Sequence, residues 1–153
     1  MPTHAREAIL DALVTNLRVI GTTGAYSATV RPTVTRTKHP LATVPIHPII
    51  IVGADSEEMT RDAQAGAVGT YDRFLKCVVQ YAFISPNLDE DASRAIHDVE
   101  LALRDWTVTN TAWDLEFQGY TVGAGTIAEP EVVVTFEIEI HYRTDDNAPA
   151  TRV

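Results

Sequence analysis

In the segment EVVVTFEIEIHY, residues 131 to 142, hydrophobic side chains fall on every even position: Val132, Val134, Phe136, Ile138, Ile140 and Tyr142. The odd positions carry Glu131, Thr135, Glu137, Glu139 and His141, with Val133 the single exception. Side chains alternate across a strand, so the pattern predicts a half-buried strand with an acidic outer face. A longer period governs residues 4 to 20, where Ile9, Leu10, Leu13, Val14, Leu17 and Ile20 form one stripe between Thr3, a candidate N-cap, and Gly21, a stop signal. That is an amphipathic helix. A second helix is predicted to open at Asn87, its cap, with Asp89, Glu90 and Asp91 in the first turn, where the helix dipole favours negative charge. Its stripe is Ala92, Ala95, Ile96, Val99, Leu103 and Trp106.

Strands fill much of the remainder. Residues 27 to 36 are rich in Thr and Val, and Pro32 suits a sheet edge. Three prolines precede the apolar run Ile49 to Val52, which reads as a short buried strand ending at Gly53. Residues 54 to 69, ADSEEMTRDAQAGAVG, show no apolar period and are read as a long mobile loop, a length that is usually functional or disordered. Residues 70 to 85 are apolar on both faces from Leu75 onward, as in a central strand. WDLEFQGYTV, 113 to 122, pairs with the 131 to 142 strand as a hairpin across GAGTIAEP. Residues 144 to 153 are polar and aperiodic, a flexible tail. The order predicts an α+β fold, a mostly antiparallel sheet with two main helices packed on one face, in a single domain over residues 1 to 143.

Composition narrows the possible functions. A chain of 153 residues with 45% hydrophobic and 22% charged side chains buries one ordinary core. A net charge of -9 argues against a broad basic surface for DNA or an anionic membrane. No apolar run is long enough to cross a bilayer, and the N-terminus lacks the apolar core of a signal peptide, so a soluble protein is expected. The lone Cys77 sits in an apolar run and reads as a small buried hydrophobe.

Catalytic chemistry finds no foothold in these patterns. His4, His39, His47, His97 and His141 show no HxH, HxxxH or HExxH spacing. His97 and Glu100 lie one turn apart on the second helix, where a solvated flank explains them equally well. Glu137, Glu139 and His141 form a row suited to acid/base or metal work, yet charge on a strand face is also the usual guard against aggregation. No serine has a GxSxG context, and neither GAVGTYD nor GAGTIAEP makes a phosphate loop. A catalytic site, a metal and a cofactor are therefore not expected.

The opening helix REAILDALVTNLRVI, the strand HPIIIVGADSEE leading into charge, YDRFLKCVVQYA before the acid-capped helix LDEDASRAIHDVELAL, and the closing strand VVVTFEIEIHYRT together resemble the tail terminator proteins of long-tailed bacteriophages, also described as tail completion or minor tail proteins. The resemblance covers most of the chain through element type and order. It implies a structural virion protein, assembled in the host cytoplasm and located in the tail or neck. Such a protein forms a homohexameric ring that caps the tail tube protein, ends tube polymerisation and meets the head-tail connector protein. DNA would pass through the ring without specific binding, and Glu131, Glu137 and Glu139 would line the channel or a subunit seam. Asp55, Glu57, Glu58, Arg61 and Asp62 would belong to a loop that docks on the tube. Another phage neck or tail-tube protein of similar fold, a small metal- or ligand-binding domain, and an adaptor domain are the alternatives.

Overall fold

The computed structural model describes residues 5–36, 47–62, 70–104, 114–124, 131–145 and 148–152, with backbone alone for residues 61, 62, 70, 124, 145 and 148–152. The elements are α1 (Ala5–Leu17), β1 (Thr33–Arg36), β2 (Ile49–Asp62), β3 (Thr70–Ile84), α2 (Leu88–Arg104), β4 (Asp114–Ala124), β5 (Glu131–Asp145) and β6 (Ala148–Arg152). The strands form one sheet in the order β1-β2-β3-β5-β4, and β6 joins β5. All pairings are antiparallel except β1 with β2. The fold is α+β, as the patterning predicts, and both helices pack against the sheet.

Parity along each strand separates the two faces. On the helix side, Ile50, Val52, Val79, Tyr81, Val134, Phe136 and Ile138 meet Ile9, Leu13 and Leu17 of α1 and Val99 and Leu103 of α2 in one core. Phe136 is fully buried, with Phe117 and Tyr120 of β4 edge-on or tilted against it at ring separations of 6.4 Å and 6.3 Å. All six even positions of the 131 to 142 segment are buried. On the opposite face the described residues include a small apolar cluster, Ile49, Ile51 and Ala82 with Val133, which accounts for the valine that breaks the alternation.

Side chains and backbone groups at the helix ends fix how the chain enters and leaves. Gly21 has φ +80° just beyond α1, a conformation that favours glycine, and a Cβ there would stand a tight 3.3 Å from Arg31. At the start of α2 the Asn87 carbonyl accepts the Asp91 amide at 3.1 Å, while the Ser85 hydroxyl accepts the Asn87 amide at 3.0 Å and donates to Asp91. The stripe of α2 includes a charged member that the apolar period does not reveal. Asp98 is 1% exposed and accepts the backbone amides of Ser27 and Ala28 at 2.7 Å and 2.9 Å, pinning the chain before β1 to α2. Thr3, His4, His39 and Trp106 lie outside the described residues.

Three sequence expectations change. The first strand is shorter than 27 to 36, because residues 27 and 28 are tied to Asp98 instead of to a neighbouring strand. Residues 54 to 62, expected as the first part of a mobile loop, continue β2 and pair with β3 down to Asp62↔Thr70; residues 63 to 69 lie outside the described residues. A bulge at Asp55, between Ala54 and Ser56, shifts the phase of the strand and hides its alternation. Of residues 144 to 153, expected as a loose tail, 144 and 145 complete β5 and 148 to 152 form β6, which pairs through Thr144↔Arg152 and Asp145↔Ala148 and contacts α1; 146, 147 and 153 lie outside the described residues. Thr144 is fully buried.

Candidate functional site

The face of the sheet away from the helices carries a concentration of charged side chains. Register places Glu58, Asp72, Asp114, Glu116, Glu137 and Glu139 on it, with Lys76, His141 and Arg143. Glu139 stands between Lys76 of β3 and Glu116 of β4, and Glu137 is exposed opposite Val78 and Gly119. Two carboxylates, Glu116 and Glu139, are directly opposed, an arrangement that disfavours pairing and persists where it faces water or a neighbour.

Glu131 departs from the expected row. It lies on the same face, but Val133 and Thr135 separate it from Glu137 there, and its carboxylate holds the His47 ring nitrogen Nε2 at 2.6 Å. His141 is likewise engaged. Its ring stacks on Phe74 at 4.6 Å, and Nε2 is 3.1 Å from Asp72, which also accepts from Arg143 Nε at 2.6 Å. The Arg143 guanidinium holds the Asp72 carboxyl below the usual range against partial desolvation, with a smaller contribution from His141. Glu137, Glu139 and His141 are thus neighbours in space, but the histidine serves an ion-pair cluster.

The charged stretch expected to dock on a tube is an exposed β-arm whose residues point in different directions. Asp55 occupies the bulge, and Glu58 faces outward, 3.8 Å from Lys76. Glu57 turns to the helix side, where it accepts from the Tyr142 hydroxyl and lies 3.5 Å from Arg73. Arg73 also donates to Thr144 Oγ1 at 2.7 Å and stands over the Tyr71 ring. Burial, then the bond to Glu57, push the Tyr142 hydroxyl pKa up, so it remains a donor. Glu57 therefore roots the arm and is not a free docking group. The backbones of Arg61 and Asp62 pair with β3, and their side chains lie outside the described residues.

Two clefts flank α2. A cavity of about 450 Å³ lies between residues 27–30, His47–Pro48, the end of β3 and the first half of α2, with Tyr81 and Asp98 at its base and exposed Val30 and Ile84 at its rim. His97 and Glu100 line a smaller one with Leu101, Arg104 and Phe117. Among the described residues no group of three or more His, Cys, Asp or Glu side chains is placed to hold a metal ion. Cys77 is buried, and desolvation pushes its thiol up to about 12, far from the thiolate that nucleophilic work requires. No described helix is long and apolar enough to cross a membrane.

The edges of the sheet complete the surface inventory. β1 covers β2 only over Ile49–Val52, leaving the β2 edge from Gly53 to Asp62 without a strand neighbour among the described residues. On the other side β4 pairs, among the described residues, with β5 alone, and Tyr120 and Val122 are 55% and 42% exposed. Large apolar side chains on an open edge were not anticipated from the sequence. The signal was present in the run FQGYTVGA, which contains no charge. A scan against family models finds no match for this chain, and no curated protein is significantly similar to it.

Proposed function

We propose that the protein is a structural, non-catalytic subunit of a bacteriophage virion, a tail terminator. In this reading it assembles as a homohexameric ring that caps the tail tube protein, ends tube polymerisation and faces the head-tail connector protein on its other side. The observation that carries the reading is a sheet with helices on one face and acidic side chains, Glu116, Glu137 and Glu139, on the other. Turned inward, that face repels the phosphates of DNA moving through a channel, so the genome passes without being retained. Glu131, paired with His47, sits at the rim of this surface and contributes less free charge. The tip of the β2 arm, near Arg61 and Asp62, is the segment available to meet the tube.

The test is the solution mass of the purified protein by light scattering, alone and with its candidate tube protein. A mass near six subunits in either condition supports the ring. A monomer in both conditions overturns it. Charge reversal at Glu137 and Glu139 then tests the channel, with slowed DNA release from assembled particles as the expected result and unchanged release as the contrary one.

A further inference from the structure

Two buried polar groups at the base of the cavity beside α2 lack a partner that their chemistry calls for. Each carboxylate oxygen of Asp98 accepts one backbone amide, Ser27 at 2.7 Å and Ala28 at 2.9 Å. A carboxylate has about four acceptor positions, so roughly half remain open, and no described cation is paired with this buried charge. Arg94, one turn back on α2, is committed to Glu90 and Asp91, and His47, also at the cavity, to Glu131. Tyr81 is 5% exposed, and its hydroxyl forms no hydrogen bond among the described residues. Buried charges and hydroxyls are ordinarily satisfied by partners, so this pair of groups is incomplete as it stands.

The needs of the two groups differ. Burial and then the nearby Asp98 charge raise the Tyr81 pKa from 10.0 to about 12, so the hydroxyl stays protonated and calls for an acceptor, whereas Asp98 calls for a cation. An ammonium group alone cannot supply both, because it has no acceptor. Among the described residues no three His, Cys, Asp or Glu side chains are placed to hold a metal ion, which makes an organic cation the better fit. A carboxylate is a poor acceptor here: Arg94 and His47 already hold anions, and Asp91 and Glu131 would repel another. A neutral carbonyl beside an organic ammonium meets both needs.

We infer that this cavity binds an α-amino amide, its ammonium donating to Asp98, its carbonyl oxygen accepting from the Tyr81 hydroxyl, and its side chain lying against Val30, Phe83 and Ile84. The volume of about 450 Å³ suits a small ligand, and exposed Val30 and Ile84 offer apolar surface that a hydrophobic side chain would cover. A free aminoacyl amide and the amino end of a peptide share this chemistry. Neither the ring nor any other assembly is needed for it.

Titration with leucinamide tests the site, followed by NMR at the Ser27 and Ala28 amides, which donate to Asp98. Saturable shifts there are expected. N-acetyl-leucinamide, which lacks the cation, and 3-methylbutylamine, which lacks the carbonyl, should each bind at least about ten-fold more weakly. No saturable shift with leucinamide would overturn the inference, and so would equal binding of all three compounds, the behaviour of a merely apolar cleft. Tyr81→Phe removes only the hydroxyl, so the melting temperature should hold or rise while leucinamide binds about ten-fold more weakly. Unchanged affinity in Tyr81→Phe would contradict the assignment. Leucyl-triglycine amide separates the two sources: it should match leucinamide if the cavity admits a peptide end and fail to bind if only small amides enter, and either result upholds the site.

Discussion

The outer halves of β2 and β4 are both exposed, both edge-facing and both interrupted by a bulge, yet they are protected differently. β2 distributes charge over both of its faces and anchors itself through Glu57, Arg73, Tyr142 and Thr144. β4 has neither charge nor a polar root beyond Phe117, and is held by its pairing with β5 and by Tyr120 against Phe136. Sheet edges are ordinarily kept single by charge, proline or bulges. Since both edges have a bulge, charge is what separates them. A guarded edge can wait in solution for one partner, whereas an unguarded edge is built to be covered.

Removing the root of the arm should have the largest effect. Arg73→Ala leaves Glu57 largely buried without its cation and Thr144 without its donor, with an expected loss of about 2–3 kcal/mol in urea unfolding. Hydrogen exchange should then accelerate in β2 beyond Gly53 and not in β4; uniform loosening would refute the idea of a separately anchored arm. Next in size is the guard itself. Neutralising Asp55 and Glu58 to Asn and Gln should produce concentration-dependent association in light scattering, because the arm loses its mutual repulsion.

Alkaline pH should weaken the shared core without favouring either edge. Burial raises Cys77 and Tyr81 from ordinary values of 9.0 and 10.0 to about 12. The native state therefore holds these protons more tightly, and stability that is complete below about pH 9 should fall as pH rises towards 12. Iodoacetamide should accordingly leave Cys77 unmodified in the native protein and alkylate it in denaturant. On the acid side Asp72 has a lowered pKa, so its contribution is present above the ordinary carboxylate range and lost as pH falls through the depressed value. Asp72→Asn should flatten that acid limb. The smallest effect expected is Tyr120→Ser, which should shift the unfolding free energy of the isolated subunit by no more than about 0.5 kcal/mol, as for an exposed site. A much larger loss would mean that β4 is stabilised from within, and the contrast between the edges would weaken.

Most of the architecture was legible because its periods are clean. β5 alternates with Val133 the single exception, and α2 begins with three carboxylates and carries an apolar stripe into which only Asp98 intrudes. What escaped was governed by contacts distant in sequence. The arm of β2 is charged on both faces and changes phase at Asp55, so neither an apolar period nor propensity marks it as strand. β6 contains Pro149 and has little apolar character, and only its pairing with the end of β5 makes it a strand. The outer-face carboxylates Glu137 and Glu139 could be assigned from parity, whereas the capture of Glu131 by His47, 84 residues away, could not. Asp98 illustrates the same limit: a buried carboxylate is recognisable only once the amides of Ser27 and Ala28 are in place.

The bulge in β4, where Gln118 is the extra residue between Phe117 and Gly119, sets which side of the sheet everything beyond it addresses. Strict alternation from Phe117 would send Tyr120 and Val122 to the acidic side and Thr121 to the helices; the extra residue keeps them on their present sides, and deleting Gln118 would straighten the strand without moving them. Loss of a residue pair there would instead invert the remainder of the strand. The spacing at this point thus works like a reading frame for surfaces, in which sequence length, more than residue identity, decides whether an aromatic side chain is presented on the helix side of the sheet or on its acidic side.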